Sequence, residues 1–151
     1  MININWKVKS FEELSNTELY DLLALRQLIF CVEQNCPYVD CDGKDQKSCH
    51  VMAFDETNKL VAYTRLLPKG VSYVNEVSIG RVVTHPSYRG TGIGKILMQK
   101  SIEECERIFG KEPIKIGAQE WLKSFYTSFG FNKVIERYYE DGIPHLIMVR
   151  E

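Results

Sequence analysis

Residues 73–95 constrain the fold of this chain more than any other stretch. Tyr73 to Thr84 reads as a strand with Gly80 inside it, His85-Pro86 ends that strand, and Arg89-Gly90-Thr91-Gly92-Ile93-Gly94-Lys95 forms a glycine-rich turn. The turn opens a helix predicted from about Thr91 to Phe109, with Ile93, Ile96, Leu97 and Ile102 facing inward and Lys95, Lys100 and Glu103 facing water. The first turn of a helix leaves backbone N–H groups unpaired, and the helix dipole adds about half a positive charge there. A strand that ends beside such a turn delivers an anion site suited to phosphate. Glycines let the backbone approach the anion with no Cβ in between, and Arg89 adds a permanent cation. An interior glycine such as Gly80 marks a bulge or a close backbone approach.

Three phosphate motifs compete for this turn. A P-loop ending at Gly94-Lys95 needs glycine where Arg89 stands and Ser or Thr where Ile96 stands. A dinucleotide fingerprint starting at Gly90 needs glycine at Lys95. The pattern that fits is Arg89-x-x-Gly92-x-Gly94.

The rest of the chain supplies the layers around this unit. Residues 2–9 alternate as a first strand. Ser15 and Glu18 form a capping-box pattern that opens a helix reaching about Gln34, before Pro37. Residues 36–48 read as a polar loop, His50–Asp55 and Leu60–Leu67 as a strand pair, and Pro113–Gly117 as a short strand. Glu120–Phe129 reads as a helix closed by Gly130, and Phe131–Tyr139 and Pro144–Val149 as two strands joined at Asp141-Gly142. The order is strand, helix, three strands, helix, strand, helix, two strands. That order predicts a single mixed α/β (α+β) domain over residues 1–151, with a mostly antiparallel sheet and helices on both faces.

The motif Arg89-x-x-Gly92-x-Gly94 after a bulged strand resembles the cofactor loop of the GNAT superfamily of N-acetyltransferases. Phe125-Tyr126-Thr127-Ser128-Phe129-Gly130-Phe131 is similar to the superfamily's Tyr-x-x-x-Gly-Phe helix end. Val32-Glu33-Gln34-Asn35-Cys36-Pro37-Tyr38, Asp40-x-Asp42-Gly43, Gly80-Arg81-Val82, Gly117-Ala118-Gln119 and Glu140-Asp141-Gly142-Ile143-Pro144-His145 resemble the ElaA-like branch. The resemblance spans nearly the whole chain. One departure is Gly117-Ala118-Gln119, where many members carry Asn just after the fifth strand.

The resemblance implies acetyl transfer from acetyl-CoA (coenzyme A) to a primary amine, by direct attack in a ternary complex. Arg89, Gly90, Thr91, Gly92, Ile93, Gly94 and Lys95 would hold the pyrophosphate. The edge at Arg81, Val82 and Val83 would pair with the pantetheine arm as an added strand. A bulge near Gly80 would splay the fourth strand from the fifth, and an N–H near Val83 would polarise the thioester carbonyl. Tyr126 would be the general acid that protonates the departing thiolate. The general base is left open by the residues, and Glu33, His50, Glu76 and His145 are the candidate base or acceptor contacts. Tyr38, Asp40, Asp42, Glu140 and Asp141 would form an acidic rim suited to a cationic amine if they converge.

Other classes are disfavoured by the composition. The formal net charge of -1 and the absence of a dense Lys/Arg run argue against a nucleic-acid partner. No apolar stretch reaches the length of a membrane span, so no membrane partner is expected. Cys31, Cys36, Cys41, Cys49 and Cys105 match no zinc spacing, and Asp40–Asp45 fails the EF-hand pattern, so no metal is expected. The odd thiol count and the lack of a charged-then-apolar leader at Met1–Trp6 predict a cytoplasmic protein. The resemblance implies a small-molecule or peptide amine as acceptor, and a homodimer is left open. The alternative is a non-catalytic acyl-CoA-binding sensor or interaction module.

Overall fold

The computed structural model describes residues 3–151, so Ile2 of the predicted first strand lies outside the described residues. Seven strands and three helices follow in the order β1 (Asn5–Ser10), α1 (Asn16–Arg26), β2 (Cys49–Phe54), β3 (Leu60–Leu67), β4 (Ser78–Thr84), α2 (Ile93–Phe109), β5 (Ile114–Gln119), α3 (Lys123–Thr127), β6 (Lys133–Glu140) and β7 (Ile143–Arg150). The strands form two antiparallel ladders, β1-β2-β3-β4 and β5-β7-β6. This is the mixed α+β class expected from the element order.

Alternation along the strands explains the helices on both faces. Val51 and Ala53 of β2 pack with Leu97, Met98 and Ile102 of α2, whereas Met52 and Phe54 pack with Leu22 and Leu25 of α1. Every residue of β3 is buried because helices cover it from both sides. The capping box that opens α1 is formed: Glu18 N–H donates to Ser15 Oγ at 3.0 Å, and Ser15 N–H donates to Glu18 Oε1 at 2.9 Å.

Three boundaries differ from the sequence pattern. The helix expected to reach Gln34 widens into a π-helical stretch over Gln27–Glu33. The strand expected from Tyr73 begins at Ser78, because Gly70 at φ 88 starts a local turn in which Gly70 N–H donates to Tyr73 O at 2.7 Å. The helix expected over Glu120–Phe129 is a 3-10 turn, Glu120–Leu122, followed by the short α3, which Gly130 at φ 93 closes.

The two ladders touch through one parallel bridge, Val77 to Ile114, where Lys115 N–H donates to Val77 O at 3.0 Å. Beyond it β4 and β5 diverge. The cause is a bulge in β4: from Gly80 to Val83 it advances three residues while β3 advances two, from Arg65 to Tyr63. Gly80 does not carry the unusual backbone. Arg81 does, at φ 52.

A positive φ at a residue with a Cβ is unfavourable by about 1–2 kcal/mol, and ion pairs oppose that cost. Arg81 Nε lies 2.9 Å from Asp40 Oδ1, out of line for a hydrogen bond, and its NH2 is 3.3 Å from Asp42 Oδ2. Arg26, fully buried, reaches Asp40 Oδ2 at 2.8 Å and Asp45 Oδ1 at 2.7 Å. Arg65 grips Asp42 at 2.8 and 2.9 Å and Asp45 at 3.1 Å. Three arginines from α1, β3 and β4 thus meet three aspartates of the 36–48 loop with no net charge. Burial opposes ionisation of Asp42 and Asp45, but the arginines outweigh it and hold both carboxyls below the ordinary range. A depressed folded-state pKa stabilises above the unfolded value and loses that effect as pH falls.

Removing Arg26 leaves three carboxylates to two arginines, with an uncompensated charge on the buried Asp40 and Asp45, so Arg26→Leu is expected to cost about 3–5 kcal/mol in urea unfolding. Repeating the measurement across pH, native stability is expected to fall as acid is added below about pH 4. Flat acid stability would contradict the pairing.

Candidate functional site

The parting of β4 and β5 opens a cleft of about 810 Å³. The loop end of β4, the π-helical end of α1, the ends of β5 and α3, and the β6–β7 hairpin all line it. The N-terminus of α2 adjoins a smaller hollow of about 230 Å³ that shares Thr84, Arg89, Gly94 and Phe125 with the cleft.

That hollow has the character of an anion site. Gly90 and Gly92 hold φ of 79 and 84, and a Cβ on either would meet nothing within 4 Å. Gly92 caps α2 with no side-chain acceptor. Among the described residues, the N–H groups of Gly90 to Gly94 find no acceptor, while those of Lys95 and Ile96 turn back to Gly92 O at 3.2 and 3.4 Å. Unsatisfied donors on glycines with open space in front of them fit the diphosphate of an acyl-CoA. Ile93 buries its side chain in the core, so only its backbone can face an anion. The Thr91 hydroxyl donates to Tyr88 O, and Lys95 stands exposed. Arg89 forms a two-pronged pair with Glu33, NH1 to Oε2 at 2.8 Å and NH2 to Oε1 at 2.5 Å, so both residues border the cleft already engaged.

Along β4, Arg81, Val82 and Val83 all line the cleft. His85 N–H donates to Val61 O at 2.7 Å. Donor directions alternate along a strand, so Val83 N–H also turns toward β3 and Thr84 N–H turns to the open edge. The edge-facing donor is therefore at Thr84, a residue the sequence reading missed. Parity fixes it, and parity becomes countable only once the bulge is located.

Tyr126 is 6 % exposed, with edge-on aromatic contacts to Phe125 and Phe131. Its hydroxyl has no hydrogen-bond partner among the described residues and opens on the cleft. Burial pushes its pKa up to about 12. The group holds its proton through the neutral range.

Of the remaining candidates, the structure brings His145 and Glu33 to the cleft and leaves His50 and Glu76 out. His50 is fully buried: Nε2 is 3.0 Å from Asp45 O, and Nδ1 is 2.6 Å from Tyr63 Oη. A carbonyl only accepts, so Nε2 donates to it and Nδ1 accepts from the Tyr63 hydroxyl; both nitrogens are spent, and burial lowers the pKa. Glu76 turns away to Lys115 at 3.7 Å. His145 differs from both. Its Nδ1 is 2.8 Å from Ile143 O and so carries the hydrogen, which leaves the Nε2 lone pair of the neutral ring available, 3.6 Å from Glu140 Oε2.

The acidic rim is also reduced. Asp40 is buried, and it and Asp42 are matched by arginines, so only Glu140 and Asp141 bring unmatched carboxylates to the cleft beside Tyr38. The glycine of Gly117-Ala118-Gln119 has a visible purpose: a Cβ there would stand 2.4 Å from the Tyr138 hydroxyl. No helix of the described residues is long and apolar enough to cross a membrane.

Comparison with known proteins agrees with this geometry. Residues 32–151 match the family described as the acetyltransferase (GNAT) domain. The chain is 45% identical to protein ElaA of Escherichia coli (strain K12) over 150 residues, 98% of this chain and 97% of that protein. The crystal structure of Escherichia coli ElaA superposes with a TM-score of 0.91 at 43% identity, covering 99% of this chain and 100% of that one. An acyl-CoA N-acyltransferase from Pseudomonas aeruginosa superposes with a TM-score of 0.92 at 40% identity, with the same coverage.

Burial, with the Glu140, Tyr73 and Glu136 charges nearby, holds the Tyr138 pKa at about 12. Gly117→Ala is expected to push that hydroxyl into solvent, so that spectrophotometric titration finds one tyrosine moved down toward about 10. An unchanged titration curve would mean that Tyr138 does not rest on Gly117.

Proposed function

The chain belongs to the acetyltransferase (GNAT) family, and on that premise we propose that it transfers an acetyl group from acetyl-CoA to a primary amine by direct attack in a ternary complex. One observation carries the reading: the unsatisfied N–H groups from Gly90 to Gly94 open beside the same cleft as the partnerless Tyr126 hydroxyl. Acetyl-CoA, when bound, supplies an acetyl group activated as a thioester.

The chain's own groups do the rest. The N–H groups of Gly90 to Gly94 bind the diphosphate, and Arg89 joins them by exchanging Glu33 for phosphate. Thr84 N–H, at the free edge of β4, holds the amide-bearing arm in the manner of an added strand. The His145 Nε2 lone pair takes a proton from the acceptor, directly or through water, so that a neutral amine attacks. The Tyr126 hydroxyl gives its proton to the sulfur as the C–S bond breaks and the C–N bond forms, and the proton that the acylated nitrogen sheds returns to the tyrosine oxygen through water. Residues 3–151 act together as one domain, and a reducing, cytoplasmic setting suits five free cysteines.

In calorimetric titration the native protein is expected to bind acetyl-CoA at one site, and Gly92→Val to weaken binding by about tenfold or more, the scale of one charge-assisted hydrogen bond. No binding by the folded native protein would remove the basis of the proposal. In thiol-release assays with an amine panel, Tyr126→Phe is expected to lower kcat roughly a hundredfold or more, with cofactor affinity kept. Native kcat should show no alkaline loss from Tyr126 until pH approaches about 12. Tight binding with no amine-dependent turnover would instead favour a sensor.

A further inference from the structure

Four long basic side chains line the cleft: Lys44, Arg65, Arg81 and Arg89. Three are matched, Arg65 and Arg81 by aspartates of the buried network and Arg89 by Glu33. Lys44 differs. Among the described residues no carboxylate lies within 4.0 Å of its ammonium, whose contact is the Ser72 hydroxyl, Nζ to Oγ at 3.0 Å. An ammonium has three donors, and this leaves two without a partner among the described residues.

The surroundings are built rather than loose. The Lys44 backbone is held from both sides: its N–H donates to Asp42 Oδ1 at 3.1 Å, and its carbonyl accepts from Ser48 Oγ at 2.7 Å and Lys47 N–H at 3.2 Å. The arginine–aspartate network fixes the loop that carries it. Next to Ser72 in the chain, Tyr73 also lines the cleft, and its hydroxyl has no partner among the described residues. A Cβ on Gly117 would lie 3.6 Å from that hydroxyl and 2.4 Å from the Tyr138 hydroxyl, so the two phenols converge there. Burial raises the Tyr73 pKa, which keeps the hydroxyl a donor. The β6–β7 hairpin also brings Glu140 and Asp141 to the cleft, neither matched by Lys or Arg, with Glu140 near enough to Tyr73 to help raise its pKa. Among the described residues the cleft therefore offers one cation unmatched by a carboxylate, Lys44, and two carboxylates unmatched by Lys or Arg, Glu140 and Asp141.

We propose that Lys44, Ser72 and Tyr73 form a subsite for a carboxylate borne by the amine acceptor, which is therefore an amino acid or a short peptide rather than a simple alkylamine or polyamine. Lys44 and the two hydroxyls are donors, and a carboxylate is acceptor-only, so each group finds its complement. Glu140 and Asp141 attract the cationic end of the same zwitterion. The inference rests on the acetyl-transfer reading.

The test compares kcat/KM within pairs of acceptors that differ in the carboxylate: lysine against cadaverine, ornithine against putrescine, and glycylglycine against its amide. The native protein is expected to favour the carboxylate-bearing member of at least one pair by about tenfold or more. Lys44→Gln is expected to collapse that ratio, and Lys44→Glu to invert it toward the uncharged or cationic member, an inversion that mere loosening of the loop cannot produce. Ser72→Ala and Tyr73→Phe should each reduce the ratio without inverting it. Equal use of both members, or a ratio that Lys44→Glu leaves in place, would overturn the subsite and leave acetyl transfer standing. Transfer to no amine, by protein that binds acetyl-CoA, would overturn both.

Discussion

Arg26, Arg65 and Arg81 sit where no charge could remain alone. Arg26 has no solvent contact at all, Arg65 is nearly as buried, and Arg81 keeps part of its side chain open at the cleft. A buried guanidinium must find carboxylates or destabilise the fold, and the carboxylates available are Asp40, Asp42 and Asp45, all on one loop. Pairing them forces that loop down against β3 and β4. The same contacts hold Arg81 in its left-handed backbone, which keeps the bulge in β4, and they fix the loop from which Lys44 projects. The architecture of the cleft depends on this balanced cluster more than on any single apolar contact.

The bulge in turn explains why the cleft has an open strand edge along one side. A regular β4 would pair with β5 along its length and close the sheet. With one residue in excess, the strands separate beyond Val77–Ile114 and leave the edge of β4 unpaired. An unpaired edge inside a protein is a liability unless a ligand takes its hydrogen bonds. The glycine turn at the end of that strand presents a second set of unsatisfied donors at the start of α2. An extended chain of amides ending in a diphosphate complements both sets at once, which is the shape of coenzyme A.

Aromatic residues shape the rest. Phe125, Phe129 and Phe131 pack edge-on around Tyr126 and its neighbours and leave that hydroxyl one direction in which to point. Tyr138 leans on the missing Cβ of Gly117 and tilts over His145, their ring centres 5.3 Å apart. His145 thereby keeps one nitrogen tied to Ile143 O and the other free, whereas His50, with the same side chain, is locked into the core by Tyr63 and Asp45.

Much of this was written locally. The turn from Arg89 to Gly94 could be read because glycine spacing, a helix start and a preceding strand are all properties of contiguous residues. The capping box at Ser15 and the stop at Gly130 were legible for the same reason. Which histidine reaches the cleft was not: His50 and His145 both stand at the start of apolar strands, and their roles separate only when Tyr63 closes on His50 in the core and the β6–β7 hairpin carries His145 to the cleft. Asp40 and Asp42 read as an acidic rim because their arginine partners lie 14 to 41 residues away. The excess residue in β4 was attached to Gly80, the local marker, although the register with β3 assigns the strained backbone to Arg81. The sequence by itself determined the order of the elements, the capping box and the glycine turn before α2, since these follow from backbone geometry over a few residues. Only the tertiary structure decided which charges are matched and which lone pairs remain free, because both depend on partners that folding brings together.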